Sequence, residues 1–289
     1  MTAPTDHSSA NAKPAGSGRT LISVDAMGGD QGAAAVVAGC ALSASANSDI
    51  AFILHGDEKL LTPLVAKRRE LAGRCEIRHT TDVVTMDDKP SQVLRTGKDT
   101  SMWSAIESVR TGDAAVAVSC GNTGALMAVS MIRLKKLPGV NRPAIAVLYP
   151  SSNPQGFNVM LDVGADIRAD ADDLMRFALM GMSYARNGMN MERPRVGLLN
   201  VGTEEHKGRS ELKEAYDLIR DQSEIAGYEF VGFVEGGDIS GHRADVIVTD
   251  GFTGNVAIKT GEGTASMIGA RLREAFRYSP LSRLASQLA

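Results

Sequence analysis

The sequence predicts an α/β protein built on a mostly parallel sheet. From residue 20 onward, short apolar runs alternate with longer stretches of helical period. Nine of the runs have strand length, and five of those lead straight into glycine-bearing loops. The chain of 289 residues is long enough to bury a sizeable core, either as one large domain or as two lobes sharing a sheet.

Taken in order, the expected strands cover 21–24 (LISV), 51–54 (AFIL), 76–79, 114–118 (AAVAV), 144–148 (AIAVL), 158–161 (NVML), 195–199 (RVGLL), 230–234 (FVGFV) and 245–248 (DVIV). Most are short aliphatic runs bounded by turn formers or charge; 76–79 (EIRH) is the polar exception. The intervening stretches 33–46, 57–72, 91–110, 122–136, 171–187, 209–222 and 254–277 carry helical spacing and supply the crossovers. Residues 1–19 are rich in Ala, Ser, Gly and Pro and lack the apolar centre of a signal peptide, so they are expected to form a disordered tail ahead of a 20–289 domain.

Composition narrows the function. Hydrophobic residues make up 43% and charged residues 22%, with a net charge of −3 and no long basic run, which gives no reason to expect nucleic-acid binding. The three cysteines never form a CxxC pair, a pattern that suits a reducing cytoplasm and offers neither zinc site nor disulfide framework. No stretch approaches the roughly eighteen apolar residues of a membrane span.

The five loops are VDAMGGD at 24–30, SCGNTGA at 119–125, LDVGAD at 161–166, LNVGTEEHKG at 199–208 and TDGFTGN at 249–255. In an open parallel sheet, ligands lie outside the carboxyl ends of the strands. Glycine there lets backbone approach a ligand, and the helix that follows aims free N–H groups at an anion. Five such loops are expected to share one site. In GNTGA, Asn122 or Thr123 is expected to cap the next helix and leave the backbone donors of Gly124 and Ala125 free for an oxyanion. Lys207 and Lys259 follow two of the loops and suit phosphate contact as point charges.

Other features are weaker. Gly28, Gly29 and Gly32 form GGxxG, which breaks the dinucleotide fingerprint, although Asp57 stands about where a ribose-binding acid would. Asp87 and Asp88 in MDDKP lack further metal ligands nearby and fit a solvated or helix-capping pair at a turn better than a paired-carboxylate site. Arg95 and Lys98 share one side of the next expected helix and suit either an anionic substrate or plain surface charge. Cys120 has no evident base partner and fits a small apolar residue better than a nucleophile, while His206 suits either a general base or an exposed turn. The stretch 267–288 pairs apolar residues at helical spacing with several arginines, fitting a helix docked on the core or a basic amphipathic surface.

In order along the chain, ISVDAMGGD (22–30), MDDKP (86–90), VSCGNTGALMA (118–128), RPAIA (142–146), LDVGAD (161–166), RVGLLNVGTEEHKG (195–208) and ADVIVTDGFTGNVAIKT (244–260) resemble the PlsX-type acyl-acyl-carrier-protein:phosphate acyltransferases of phospholipid synthesis. The chain departs from that pattern at Gly97, Cys120, Asp166 and Gly237, where the family usually has Lys, Ala, Asn and Arg, and family members usually continue past its end with a further strand and helix. The resemblance implies a Rossmann-like three-layer α/β/α fold related to phosphotransacetylases and isocitrate dehydrogenases, a homodimer, and no required metal or nicotinamide. It implies transfer of a fatty acyl group from acyl carrier protein to inorganic phosphate, in the cytoplasm or peripherally at the inner membrane face, with the product passing to a membrane-bound glycerol-3-phosphate acyltransferase. On that basis Asn122, Lys207, Lys259 and Asp250 are the expected catalytic residues. Asp25, Gly28, Gly29, Gly121, Thr123, Gly124, Asp162, Gly164, Gly202, Gly251, Gly254 and Asn255 are the expected substrate contacts. A nicotinamide-dependent dehydrogenase and a non-catalytic phosphate- or lipid-binding regulator are the rival readings.

Overall fold

A computed structural model describes residues 18–140 and 142–277. The expected tail at 1–19 therefore lies almost wholly outside the described residues, as does the amphipathic stretch beyond Arg277. The chain divides into two compact units, the first ending at Leu137 and the second beginning at Pro138. Each unit has its own sheet.

In the first unit, β1 (Thr20–Asp25), β2 (Ile50–Gly56), β3 (Cys75–His79) and β4 (Val116–Ser119) form a wholly parallel sheet in the order β3-β2-β1-β4. Successive side chains of a strand face opposite ways, and here each face finds its own helices. Val24 packs with α1 (Gly32–Ala46) and with Leu61 of α2 (Glu58–Ala66). Ser23 turns to the other face, where its hydroxyl donates to the carbonyl of Ala105 at 2.8 Å. That face carries α3 (Pro90–Thr96), α4 (Ser101–Arg110) and α5 (Thr123–Arg133), joined through Val93, Met102, Ile106 and Val129.

The helix expected over 91–110 is two helices. A 3-10 turn at Gly97–Asp99 interrupts it, and Thr100 restarts the chain by accepting the Trp103 amide on its hydroxyl at 3.3 Å. Arg95 thus ends α3 while Lys98 lies in the turn, so the two do not share one helical face. The expected helix over 57–72 likewise shortens to α2 followed by a 3-10 turn at Arg69–Leu71.

In the second unit, β5 (Val147–Pro150), β6 (Phe157–Leu161), β7 (Arg195–Leu199), β8 (Glu229–Val234) and β9 (Val246–Val248) run in the order β5-β6-β9-β7-β8. Only β5 is antiparallel to its neighbour. Val159 and Leu161 of β6 pack with Leu174 and Phe177 of α6 (Ala171–Met189) and Ile219 of α7 (Ser210–Ala226). Met160, between them in sequence, packs on the opposite face with Ile247 and with Ile258 of α8 (Gly251–Arg277). The buried residues of α8 are Gly251, Gly254 and Ile258, all in its first eight positions. Its later part leaves Met267, Ile268, Leu272 and Phe276 exposed. Among the described residues, no helix is long and apolar enough to cross a membrane.

Candidate active site

In the first unit, the loops after β1 and β4 touch. Asp25 ends β1 and is 1% exposed. Its carboxylate accepts the Ser119 hydroxyl at 2.7 Å and the Met27 amide at 3.3 Å, while Ser119 accepts the Gly121 amide at 3.0 Å. Gly28 permits this contact, because a Cβ there would stand 2.6 Å from the Asp25 carboxylate and 3.0 Å from the Gly121 nitrogen. Asn122 caps α5 by accepting the Ala125 amide at 3.0 Å. Its Nδ2 donates to the carbonyls of Thr85, Met86 and Asp88 at 3.3, 3.1 and 2.9 Å. Both ends of the Asn122 amide are therefore engaged, and the side chain ties the MDDKP loop to GNTGA. Asp88 turns back to accept the Thr85 amide at 2.8 Å, closing the turn at 85–88 without capping α3, whose N-cap is Lys89.

In the second unit, three loops converge on the start of α8. Asp162, fully buried after β6, accepts the amides of Ile145 at 2.9 Å and Asp166 at 2.6 Å, and that of Ala165 on both oxygens at 3.0 and 3.1 Å. Such a satisfied carboxylate fixes the β6–α6 loop. Asp166 then receives the Arg142 guanidinium at 2.6 Å and, on its carbonyl, the Gly251 amide at 2.8 Å. Gly254 packs still closer, since a Cβ there would fall 2.1 Å from the Asp162 carbonyl oxygen. Gly164 lies in the same cluster, its Cβ position about 3.8 Å from the Asn255 side chain.

Asp250 is 3% exposed and caps α8 through the Thr253 amide at 2.8 Å and hydroxyl at 2.9 Å. Its Oδ2 also accepts the Arg209 guanidinium at 2.5 Å. Arg209 comes from the β7–α7 loop, which Asn200 ties down by donating to the carbonyls of Gly202 at 3.1 Å and Lys207 at 3.2 Å. In that loop Lys207 pairs with Glu204 at 2.7 Å, and this bond holds the Glu204 carboxyl below its ordinary range. The site thus joins a largely exposed guanidinium, a buried carboxylate and the positive end of a helix. That combination can bind an oxyanion.

Within each unit the expected loops touch one another, those after β1 and β4 in the first and those after β6, β7 and β9 in the second. Asp25, Gly28, Gly29, Gly121, Asn122, Thr123 and Gly124 belong to the first unit; Asp162, Gly164, Gly202, Lys207, Asp250, Gly251, Gly254 and Asn255 belong to the second. Lys259 stands apart from its loop. It lies two turns up α8, about 12 Å along the helix axis from Gly251, and pairs with Glu262 at 2.8 Å. Asp57 caps α2 by accepting the Lys59 amide at 3.0 Å, which accounts for it without a ribose.

Sequence reasoning missed Arg209, Thr253 and Asn200. The signal for Arg209 was its place at the end of the HKGR run, next to the Lys207 already singled out. Burial pushes the thiols of Cys40 and Cys75 up to about 12 and about 11, so both are inert at neutral pH, while Cys120 is exposed against Gly29. Among the described residues, no group of three or more His, Cys, Asp or Glu could hold a metal ion.

Residues 20–289 match the family model described as "Fatty acid synthesis protein". The chain is 77% identical over 271 residues to a phosphate acyltransferase of Roseobacter denitrificans, covering 94% of this chain and 76% of that one. It is 70% identical over 289 residues to a phosphate acyltransferase of a Ruegeria species, covering all of this chain and 76% of that one. The fold is similar to that of the EutD phosphotransacetylase from Staphylococcus aureus (TM-score 0.60, 16% identity, 86% and 83% of the two chains). It is also similar to a phosphotransacetylase from Streptococcus pyogenes (TM-score 0.61, 16% identity, 86% and 82%).

Proposed function

The chain belongs to the fatty acid synthesis protein family, with phosphate acyltransferases among its relatives, and from that premise we propose that it moves a fatty acyl group from acyl carrier protein to inorganic phosphate at the second-unit loop cluster. The enzyme is an acyltransferase. The observation that carries the siting is the Arg209–Asp250 pair at the start of α8.

Phosphate is itself a competent nucleophile, so the reaction needs no acyl-enzyme. A phosphate oxygen attacks the thioester carbonyl carbon, the oxyanion collapses, and the C–S bond breaks to release the carrier thiol. Arg209 and Lys207 hold phosphate by charge, and the amides at the start of α8 favour negative charge there. Asp250 takes the proton that phosphate loses on attack and passes it to the departing sulfur, so that the carrier leaves as a thiol. Asp162, Gly164, Gly251, Gly254 and Asn255 fix the geometry that brings the reactants within about 3–3.5 Å of each other. Lys259, already paired on the helix face, acts only as a more distant charge. In the first unit, Gly28, Gly29, Gly121, Thr123 and Gly124 supply further substrate contacts, with Asp25 and Asn122 holding them in place. We further propose a homodimer, peripheral attachment at the inner membrane face, and delivery of the acyl phosphate to a membrane-bound glycerol-3-phosphate acyltransferase.

The test is release of carrier thiol as a function of added phosphate. An Arg209→Ala enzyme should lose about 10- to 100-fold in kcat/KM for phosphate, the worth of one charged hydrogen bond. Thiol release independent of phosphate, or an acyl-enzyme trapped with the acyl donor alone, refutes direct displacement.

A further inference from the structure

Beside the Arg209–Asp250 pair lies a cavity of about 420 Å³ whose walls are mostly apolar. Leu199, Leu212, Ile239 and Val256 line it, and Arg209 and Asp250 stand at its polar end. Two large apolar side chains, Val201 and Phe252, also line it while being 81% and 61% exposed. A phosphate site has no use for such a neighbour, since inorganic phosphate makes no apolar contact and water gains little from apolar walls. The size falls within the ~300–1,000 Å³ typical of small-molecule sites.

We infer that this cavity seats the fatty acyl chain of the thioester donor and thereby sets chain-length preference. The inference rests on the proposed acyl transfer at the same loop cluster and adds where the hydrocarbon goes. One ligand satisfies both ends of the cavity. Its thioester carbonyl meets the Arg209 end, where phosphate is held, and its chain covers Leu199, Leu212, Ile239 and Val256. A chain bound this way also shields Phe252 and Val201 from water. Phosphate binding and acyl binding are then adjacent within one unit.

The structure supplies the means of testing this without touching the reacting groups. Gly236 lines the cavity, and a Cβ built on it meets nothing within 4 Å. Its neighbour Gly237 is equally open but does not line the cavity. Gly236→Phe should therefore shorten the cavity without a backbone clash, and Gly237→Phe is the matched control. Val256→Trp fills the same space from α8, at a side chain already half exposed.

The experiment measures phosphate-dependent thiol release from butanoyl and hexadecanoyl carrier-protein thioesters. Each seated methylene changes kcat/KM by roughly fourfold. The native protein should prefer hexadecanoyl by at least about tenfold. Gly236→Phe and Val256→Trp should lose about tenfold or more on hexadecanoyl while keeping butanoyl turnover within about threefold. Retained butanoyl turnover shows that the variants are folded. Gly237→Phe should match the native enzyme on both substrates. If both cavity variants keep the native hexadecanoyl preference, or lose both substrates in parallel while Gly237→Phe does not, the chain does not lie there. A native protein that releases no thiol with phosphate from either donor would instead bring down the proposed function, and this inference with it.

Discussion

Gly254 offers a sharp test of the proposed site, because its tolerance for a methyl group can be worked out atom by atom. A Cβ at this position would lie 2.1 Å from the Asp162 carbonyl oxygen, 2.9 Å from the Thr249 methyl and 3.2 Å from the Asp162 carbonyl carbon. The nearest of these is backbone, so no side-chain rotation relieves it. Either α8 or the β6–α6 loop must retreat by about 1.3 Å to restore ordinary contact. Overpacking of this kind costs about 1–3 kcal/mol, and a displacement of about 1 Å at a reacting site costs on the order of 100-fold in rate. Gly263, on the same helix, is the control, since a Cβ there meets nothing within 4 Å. Gly263→Ala should gain about 0.5–1 kcal/mol from helix propensity and raise Tm by roughly 2 °C. Gly254→Ala gains the same propensity and should still lower Tm, with kcat/KM for phosphate-dependent thiol release down about 100-fold. A Gly254→Ala enzyme with native kinetics and the Tm of Gly263→Ala would show that α8 and the Asp162 loop are not fixed against each other.

Two further outcomes probe the first unit. His55 is fully buried between the hydroxyls of Ser23 at 2.9 Å and Ser104 at 2.7 Å; burial, reinforced by Arg78, pushes its imidazole down to about 4. The unfolded chain takes up this proton near pH 6.5 and the folded one does not. The stability contribution is therefore complete above pH 6.5 and declines as pH falls toward about 4, by on the order of 3 kcal/mol. Urea melts across that window should show the slope in the native protein and lose it in His55→Gln; an unchanged slope would place its origin elsewhere. Asn122→Ala removes both the α5 cap and the tie to residues 85–88, whereas Asn122→Asp keeps the cap alone. Both should speed hydrogen exchange at the Thr85 amide, and only Ala should lose the further ~1 kcal/mol of capping; native exchange in both would show that the tie does not hold the loop.

Which stretches are strands was legible in the chain because that decision is local. The run at 195–199 coincides with β7, and 158–161 and 230–234 fall inside β6 and β8. Their aliphatic residues supply much of the buried surface of β6 and β7, and Phe233 and Val234 do so at the end of the edge strand β8. Helix presence was equally plain, but its interruption at Gly97 was not. There a 3-10 turn follows α3 and Thr100 recaps the chain by accepting the Trp103 amide, a bond that helical period does not reveal.

The glycine loops are consistent with the proposed anion site, and only the folded chain decided which side chains they bring together within each unit. Arg209 meets Asp250 across 41 residues, and Gly254 is obligatory because of a carbonyl belonging to Asp162. The His55 imidazole stays neutral down to about pH 4 through burial and, next, the charge of Arg78, both of which arise only when the fold closes over it. Local sequence determines where backbone can be straight, coiled or sharply turned, since those preferences are set by each residue and its near neighbours. Charge pairing, close approach and desolvation depend on distances between remote segments, and those distances exist only once the sheets have formed.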